Sequence, residues 1–256
     1  MFDLSGKKFL VTGSGSSNGI GFASAKALQA LGATVYLTSL SERVLKRGLE
    51  INAPASCANL TKPLEVKQLI LGVIQTLGSL DGVVNNAGMT SVLDTSEGEF
   101  ASIDDTTIEK WQKSFARNVE SAFLVTKEAI PHIRKSKAGR IVMMSSVSGP
   151  LLAIRNDVAY PSTKAALVGL VRSLAIDEAQ NGITVNAVAP GWVASESQSE
   201  SEAIHSKATP IGRAGTPDEM AAAVAWLCTN EASYITGQML VLDGGNSLPE
   251  QRYLPN

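Results

Sequence analysis

The stretch from Lys7 to Leu31 constrains the fold most. Lys7-Lys-Phe-Leu-Val-Thr12 reads as a short buried strand that runs straight into Gly13-Ser-Gly-Ser-Ser-Asn-Gly-Ile-Gly21. From Ile20 to Leu31, apolar and small residues recur at helical spacing, so the glycines form a strand-to-helix turn. Such a turn opens a nucleotide site. Glycine admits positive φ and lets backbone approach a pyrophosphate closely, while free N–H groups at the helix start supply a local positive end.

The alternation of elements then continues along the chain. Residues 33–38 give a second strand after a helix stop at Gly32, residues 55–60 a third, and residues 63–77 a helix. Gly82-Val-Val-Asn-Asn-Ala-Gly88 is a strand with its exit loop, and strands follow at 139–146, 183–191 and 238–245. Helices are expected over 160–180 and over 218–227, the latter opened by Thr216-Pro217. Strands alternating with helices imply an α/β, Rossmann-type, doubly wound parallel β-sheet of about seven strands with helices on both faces. No internal repeat or interdomain linker is evident, so residues 1–256 read as one domain. Residues 195–209 are polar and biased in composition, which suggests a flexible lid within about 192–215; His205 inside it reads as a surface residue.

Composition excludes several classes of partner. The formal net charge is −2, from 22 basic and 24 acidic residues, which gives no electrostatic case for nucleic acid or an anionic membrane surface. With 44% hydrophobic residues a large core is affordable and disorder is not expected. Cys57 and Cys228 lie far apart without a ligand cluster, so two buried free thiols in a reducing, cytoplasmic setting are expected and a metal site is not. No apolar run approaches the roughly 18 residues of a membrane span.

A second chemistry-bearing stretch is Asp157-Val-Ala-Tyr-Pro-Ser-Thr-Lys164-Ala. On a helix, Tyr160 and Lys164 project from one face. A phenol with a reference pKa of ~10 is a poor acid–base group at neutral pH, but a nearby ammonium favours its ionised form. Ser146 closes the 139–146 strand on the sheet edge that carries the glycine turn, and so could face this pair. Asn118 lies on or near the apolar stripe of a helix carrying Trp111, Phe115, Val119 and Phe123. By local sequence it is a buried amide with a structural role. Asp104 or Asp105, in the acidic connection 89–106, could cap that helix. The second strand ends in Ser39-Leu40-Ser41, then Glu42 and Arg43, with no acidic residue placed for a ribose 2′-hydroxyl. Hydroxyls and a guanidinium there favour the 2′-phosphate of NADP(H), with NAD(H) possible.

Taken together, Thr12-Gly13 to Gly21, Asn85-Asn86-Ala87-Gly88, Asn118, Ser146, Tyr160-x-x-x-Lys164, Pro190-Gly191 and Asp243-Gly244-Gly245 resemble the short-chain dehydrogenase/reductase family. The likeness covers nearly the whole chain and is to the single-domain group, near the 3-oxoacyl-[acyl-carrier-protein] reductase-like branch. The resemblance implies that Tyr160 is the general acid or base, that Lys164 lowers its pKa and binds the nicotinamide ribose, and that Ser146 polarises a carbonyl. It reverses the local reading of Asn118, which would hold a water linking Lys164 to solvent. It implies cofactor contacts from Gly13, Gly15, Ser17, Asn18, Gly19, Ile20 and Gly21 around the pyrophosphate and from Ser39, Leu40, Ser41 and Arg43 at the adenosine ribose. Asn59 and Leu60 would meet adenine, Asn86, Ala87 and Gly88 the ribose, and Pro190, Gly191, Val193 and Ser195 the nicotinamide, with Tyr160 and Lys164. A homotetramer packed through the helix from Tyr160, using Ala166, Gly169 and Leu170, is also implied.

The chain departs from the family pattern in three places. Gly13 and Gly19 enclose five residues where the family has three, so the phosphate loop is enlarged and the role of Gly13 is open. Ser195 stands where the family commonly has Thr, and Asn18 where many NADP-preferring members carry a basic residue. The expected activity is NADP-dependent hydride transfer between a carbonyl and a secondary alcohol, such as a 3-oxoacyl thioester. The alternatives are an NAD-dependent dehydrogenase of a sugar, polyol or cyclic alcohol, and a non-catalytic NADP-binding sensor. The complete set Asn118, Ser146, Tyr160 and Lys164 argues against the sensor. Too little chain follows Pro190 for the extended nucleotide-sugar epimerases. The small-molecule substrate is not legible, because loops form its pocket; Arg155 could meet an acidic group or be a surface charge.

Overall fold

The computed structural model describes residues 2–88 and 101–249. Most of the acidic connection and the end of the C-terminal tail, with Tyr253 and Leu254, lie outside them. Seven strands form one sheet: β1 (Lys8–Thr12), β2 (Thr34–Ser39), β3 (Ala55–Cys57), β4 (Gly82–Asn85), β5 (Arg140–Met144), β6 (Thr184–Pro190) and β7 (Met239–Leu242). Their order is β3-β2-β1-β4-β5-β6-β7 and every pairing is parallel. All residues of β5 and β6 are buried, as expected of parallel strands covered on both faces.

Helices α1 (Ile20–Ala30), α2 (Arg43–Glu50), α3 (Pro63–Leu77), α4 (Ile108–Phe115), α5 (Ser121–Ile133), α6 (Ala159–Glu178), α7 (Glu200–Ser206) and α8 (Pro217–Leu227) complete the fold. Alternate strand residues feed two cores. Leu10, Val83, Ile141 and Val185 pack with α3, α5 and α6, while Phe9, Val11, Val84, Val142 and Val188 pack with α1 and α8 on the other face. Strand order reverses direction between β1 and β4. At such a switch point the two exit loops diverge and leave a crevice at the strand C-termini.

Four local expectations are corrected. The third strand stops at Cys57, because the Asn59 Oδ1 accepts from the Thr61 N–H (3.1 Å) and hydroxyl (2.8 Å) and turns the chain. Neither Asp104 nor Asp105 caps α4; Thr107 does, accepting from the Lys110 N–H, while Asp105 is taken by the Ser102 hydroxyl at 2.6 Å. The lid is not merely loop: Ser199 and Glu202 form a reciprocal capping box that starts α7, and His205 stacks on Trp192 at 5.9 Å. Cys57 is exposed, since β3 is an edge strand, whereas Cys228 is buried. Among the described residues no helix is long and apolar enough to cross a membrane, and no acidic, His or Cys cluster suits a metal.

Candidate active site

The crevice at the switch point is a cleft of about 690 Å³, and the turn after β1 builds its floor. The Thr12 hydroxyl accepts from the N–H groups of Asn86 (3.0 Å) and Ala87 (2.9 Å), and the Asn86 side chain donates to the carbonyls of Thr12 and Gly13. A Cβ on Gly13 would lie 2.7 Å from Asn86 Nδ2, and one on Gly21 2.5 Å from the same atom. Gly13, with φ +69°, therefore locks the turn against the β4 exit loop. One further bond to β2 follows the end of β1. Ser14 is buried, and its N–H donates to the Thr38 carbonyl at 3.1 Å, adding a rung between β1 and β2. Beyond it, Ser17 and Asn18 are exposed at the apex of the loop.

Gly15, Gly19 and Ile20 line the cleft beside Gly13. The start of α1 at Gly19 has no side-chain cap and no acidic residue in its first turn, so its N–H groups face the cleft with their positive end uncompensated. Beside it, a Cβ on Gly15 would sit 2.8 Å from Ser39 Oγ and 3.5 Å from Ser41 Oγ, a cradle of backbone and hydroxyls. Ser39, Leu40, Ser41 and Arg43 form that wall, Asn59 and Leu60 the next, and Asn86, Ala87 and Gly88 the centre. Pro190, Gly191, Val193 and Ser195 line it from β6 and the lid. This donor set fits a dinucleotide, with a pyrophosphate at the start of α1. Ser17 and Asn18 are exposed at the loop apex and Gly21 is buried beneath it; these three do not line the wall.

The other end of the cleft gathers Ser146, Tyr160 and Lys164. Tyr160 and Lys164 stand one turn apart on α6, whose start is held by Asp157 Oδ1 accepting from the Tyr160 N–H at 3.2 Å, with Pro161 tolerated in the first turn. Two bonds fasten α6 to the end of β5: Ser145 Oγ donates to the Lys164 carbonyl (2.9 Å), and Lys164 Nζ donates to the Met144 carbonyl (3.0 Å). Gly149, at φ +103°, brings the β5 exit against this turn so closely that a Cβ would fall 2.0 Å from the Pro161 carbonyl oxygen. That approach sets Ser146, whose Oγ accepts from the Ser148 N–H at 3.1 Å. Lys164 is 3% exposed. Burial pushes its ammonium down to about 8, and Nζ lies 5.4 Å from the Tyr160 ring centroid.

Asn118 sits behind this group rather than on the wall. Between α4 and α5 the helix widens to a π turn over Ala116–Glu120, a distortion common at functional sites. The Asn118 amide donates to the Ser114 carbonyl (3.0 Å). Its Oδ1 points to Gly88, where a Cβ would come within 2.7 Å of it and 3.4 Å of Lys164 Nζ. Gly88 thus leaves room beside both the amide and the ammonium.

Over the cleft, the segment 194–196 is joined to the glycine loop. Arg43 Nη2 bonds both Glu196 oxygens at 2.5 Å, and the Ser16 hydroxyl donates to Glu196 Oε2 at 2.5 Å. These two donors, Ser16 first, hold the Glu196 carboxyl below its ordinary range. Ser16, Glu196, Trp192 and Asp157 also line the cleft, none of them among the site residues expected from the sequence. Ser16 was within reach, since it belongs to the glycine turn; nothing local in the polar lid points to Glu196. Arg155 is exposed and does not line the cleft, although Leu152, Ala153 and Ile154 do.

A switch-point cleft with a glycine turn at one end and a Tyr–Lys pair at the other defines an oxidoreductase of the nicotinamide-dependent type. The family model described as enoyl-(acyl carrier protein) reductase matches residues 13–247. Oxidoreductase UcpA of Salmonella typhimurium is 35% identical over 268 residues, spanning 98% of each chain. The 3-oxoacyl-[acyl-carrier-protein] reductase FabG of Rickettsia prowazekii is 37% identical over 253 residues, 96% of this chain and 98% of that one. The ligand-free aldohexose dehydrogenase of Thermoplasma acidophilum superposes with a TM-score of 0.85 at 29% identity, over 99% of this chain and 98% of that one. The chain belongs to the short-chain dehydrogenase/reductase family, and it is an oxidoreductase acting on a CH–OH group or its carbonyl.

Proposed function

We propose that this chain is an NADP(H)-dependent reductase that interconverts a small-molecule ketone, of the 3-oxoacyl thioester kind, with its secondary alcohol. The single observation that carries the reading is the buried Lys164 ammonium 5.4 Å from the Tyr160 ring, in the same cleft as Ser146 and the uncapped start of α1. When bound, the nicotinamide supplies or accepts the hydride. The chain's own residues handle the proton and the carbonyl. Ser146 donates a hydrogen bond to the carbonyl oxygen and holds it toward Tyr160, and Tyr160 delivers its proton to that oxygen as negative charge develops there. Lys164 favours the phenolate that results, and Asn118 keeps Lys164 in contact with a solvent path past Gly88.

The preference for NADP(H) is supported by the end of β2, where Ser39, Ser41 and Arg43 line the wall and no carboxylate follows the strand within it. We read residues 1–256 as one Rossmann-type domain that assembles as a homotetramer in the cytoplasm. On α6, Gly169 has open space beside it, which leaves room for close packing of a second copy.

A second reading, an NAD-dependent dehydrogenase of a sugar or polyol, is favoured by Glu196 occupying Arg43 and by the likeness to the aldohexose dehydrogenase. Following absorbance at the nicotinamide band with NADPH and NADH against 3-oxoacyl thioesters, ketoses, diketones and cyclic ketones separates the two. NADPH oxidation with an oxoacyl thioester is expected; turnover confined to NADH and ketoses would replace the first reading by the second.

A further inference from the structure

We propose that Glu196, reaching in from the lid, sets how strongly the cleft discriminates a 2′-phosphorylated dinucleotide from an unphosphorylated one, by holding Arg43 and Ser16 until a phosphate replaces it. The inference rests on the reading of the cleft as a dinucleotide site and adds to it a specificity residue outside the β2 end.

The geometry points this way on three counts. Both Glu196 oxygens lie 2.5 Å from Arg43 Nη2, and Ser16 Oγ lies 2.5 Å from Oε2, so the carboxylate is held by one guanidinium and one hydroxyl. Those are the donors a phosphate monoester would seek at the wall formed by Ser39, Leu40 and Ser41. The contact is also made by backbone, since the Glu196 N–H donates to the Asn18 carbonyl and Asn18 Nδ2 to the Ala194 carbonyl, each at 3.1 Å. Finally, the contact is made by the enlarged part of the loop: Ser16 and Asn18, which meet residues 194–196, both lie among the five residues between Gly13 and Gly19.

The physical consequence is a competition. A 2′-phosphate carries more negative charge than a carboxylate and three acceptor oxygens, so it can take Arg43 and Ser16, but only by displacing Glu196 and moving the lid away from its like charge. A 2′-hydroxyl cannot displace Glu196 and leaves the bridge intact. Both side chains of the pair are 40% exposed, and exposed pairs are weak. The discrimination is therefore worth several-fold in affinity rather than orders of magnitude.

The test is fluorescence titration of NADPH and of NADH into the full chain, in wild type, Glu196→Gln, Arg43→Ala and the double variant. Glu196→Gln is expected to tighten NADPH about fivefold and to change NADH less than twofold. In the Arg43→Ala background the same substitution should no longer alter the ratio. A ratio unchanged in Glu196→Gln overturns the proposal. So does equal tightening without Arg43, which would be a bulk charge effect, and so does a loss of NADH affinity alone, which would make Glu196 a ribose acceptor. The wild-type titration judges the underlying reading separately. If wild type binds NADH better, the NADP preference fails while the Glu196→Gln ratio still decides the role of Glu196; if it binds neither nucleotide, both fall.

Discussion

The two ends of the cleft hold positive charge in opposite ways. Lys164 is 3% exposed, bonded to the Met144 carbonyl, and carried on a helix tied to β5 at two points. Arg43 is 40% exposed at its side chain, stands at the first residue of α2, and is paired with a carboxylate from a lid segment 153 positions away in sequence. A buried charge held by backbone groups has one position and loses little on reorganisation, which suits a proton transfer that needs fixed geometry. An exposed ion pair exchanges partners at small cost, which suits recognition of a ligand that must enter and leave.

The largest effect is expected at the buried end. Tyr160→Phe should lower kcat by about a thousandfold, with the Kd for NADPH within twofold of wild type. Stopped-flow turnover and nucleotide titration measure the two quantities independently. Undiminished turnover would remove the proton-transfer role from this end and with it the contrast. Gly88→Ala probes the same end by sterics alone. Its Cβ would lie 2.7 Å from Asn118 Oδ1, at a φ of +151° that L residues rarely adopt. Displacing Asn118 from Lys164 should reduce kcat by roughly thirtyfold and leave the NADPH-to-NADH affinity ratio unchanged. A shift in that ratio would mean that the two ends are mechanically coupled.

At the exposed end, Arg43→Ala should weaken NADPH about tenfold, as expected for one charge-assisted contact, and NADH less than twofold. The NADPH effect should shrink as salt is raised, because both partners meet solvent. Equal losses for both nucleotides would reassign Arg43 from the 2′-phosphate to the shape of the loop.

The same contrast explains what could be read from the chain. Tyr160 and Lys164 belong to a helix whose start is marked by Asp157 and Pro161, and Ser146 follows a strand with a clear apolar pattern. Once a parallel sheet is inferred, topology brings them to one edge. Gly13 to Gly21 is legible for the same reason, although the added β1–β2 rung through Ser14 is not, since it depends on Thr38 offering a carbonyl. The π turn around Asn118 leaves no trace in helical periodicity, so local pattern gave that residue only a structural part. Ser199-x-x-Glu202 did carry a cap signal for α7, masked by the polar bias of the lid. The Arg43–Glu196 pair is beyond reach, because two surface charges 153 positions apart in sequence meet only through the tertiary fold.

The smallest expected effect concerns stability, and it turns on the cost of burying Lys164. Burial moves its ammonium from an ordinary 10.5 down to about 8. Between these two pH values the unfolded chain holds a proton that the folded chain has released, so stability rises with pH across this window. The penalty for the buried charge is felt in full below pH 8. Lys164→Met removes the charge while keeping most of the volume, and leaves the Met144 carbonyl without its donor. In the absence of nucleotide, its melting temperature at pH 7 should exceed that of wild type by ~3 °C, and the difference should close as pH rises from 8 toward 10.5. Calorimetry across that range reads both the sign and the window. A variant that melts lower at pH 7 would show that the bond to Met144 outweighs the buried charge, and the two ends of the cleft would then differ in exposure without differing in strain.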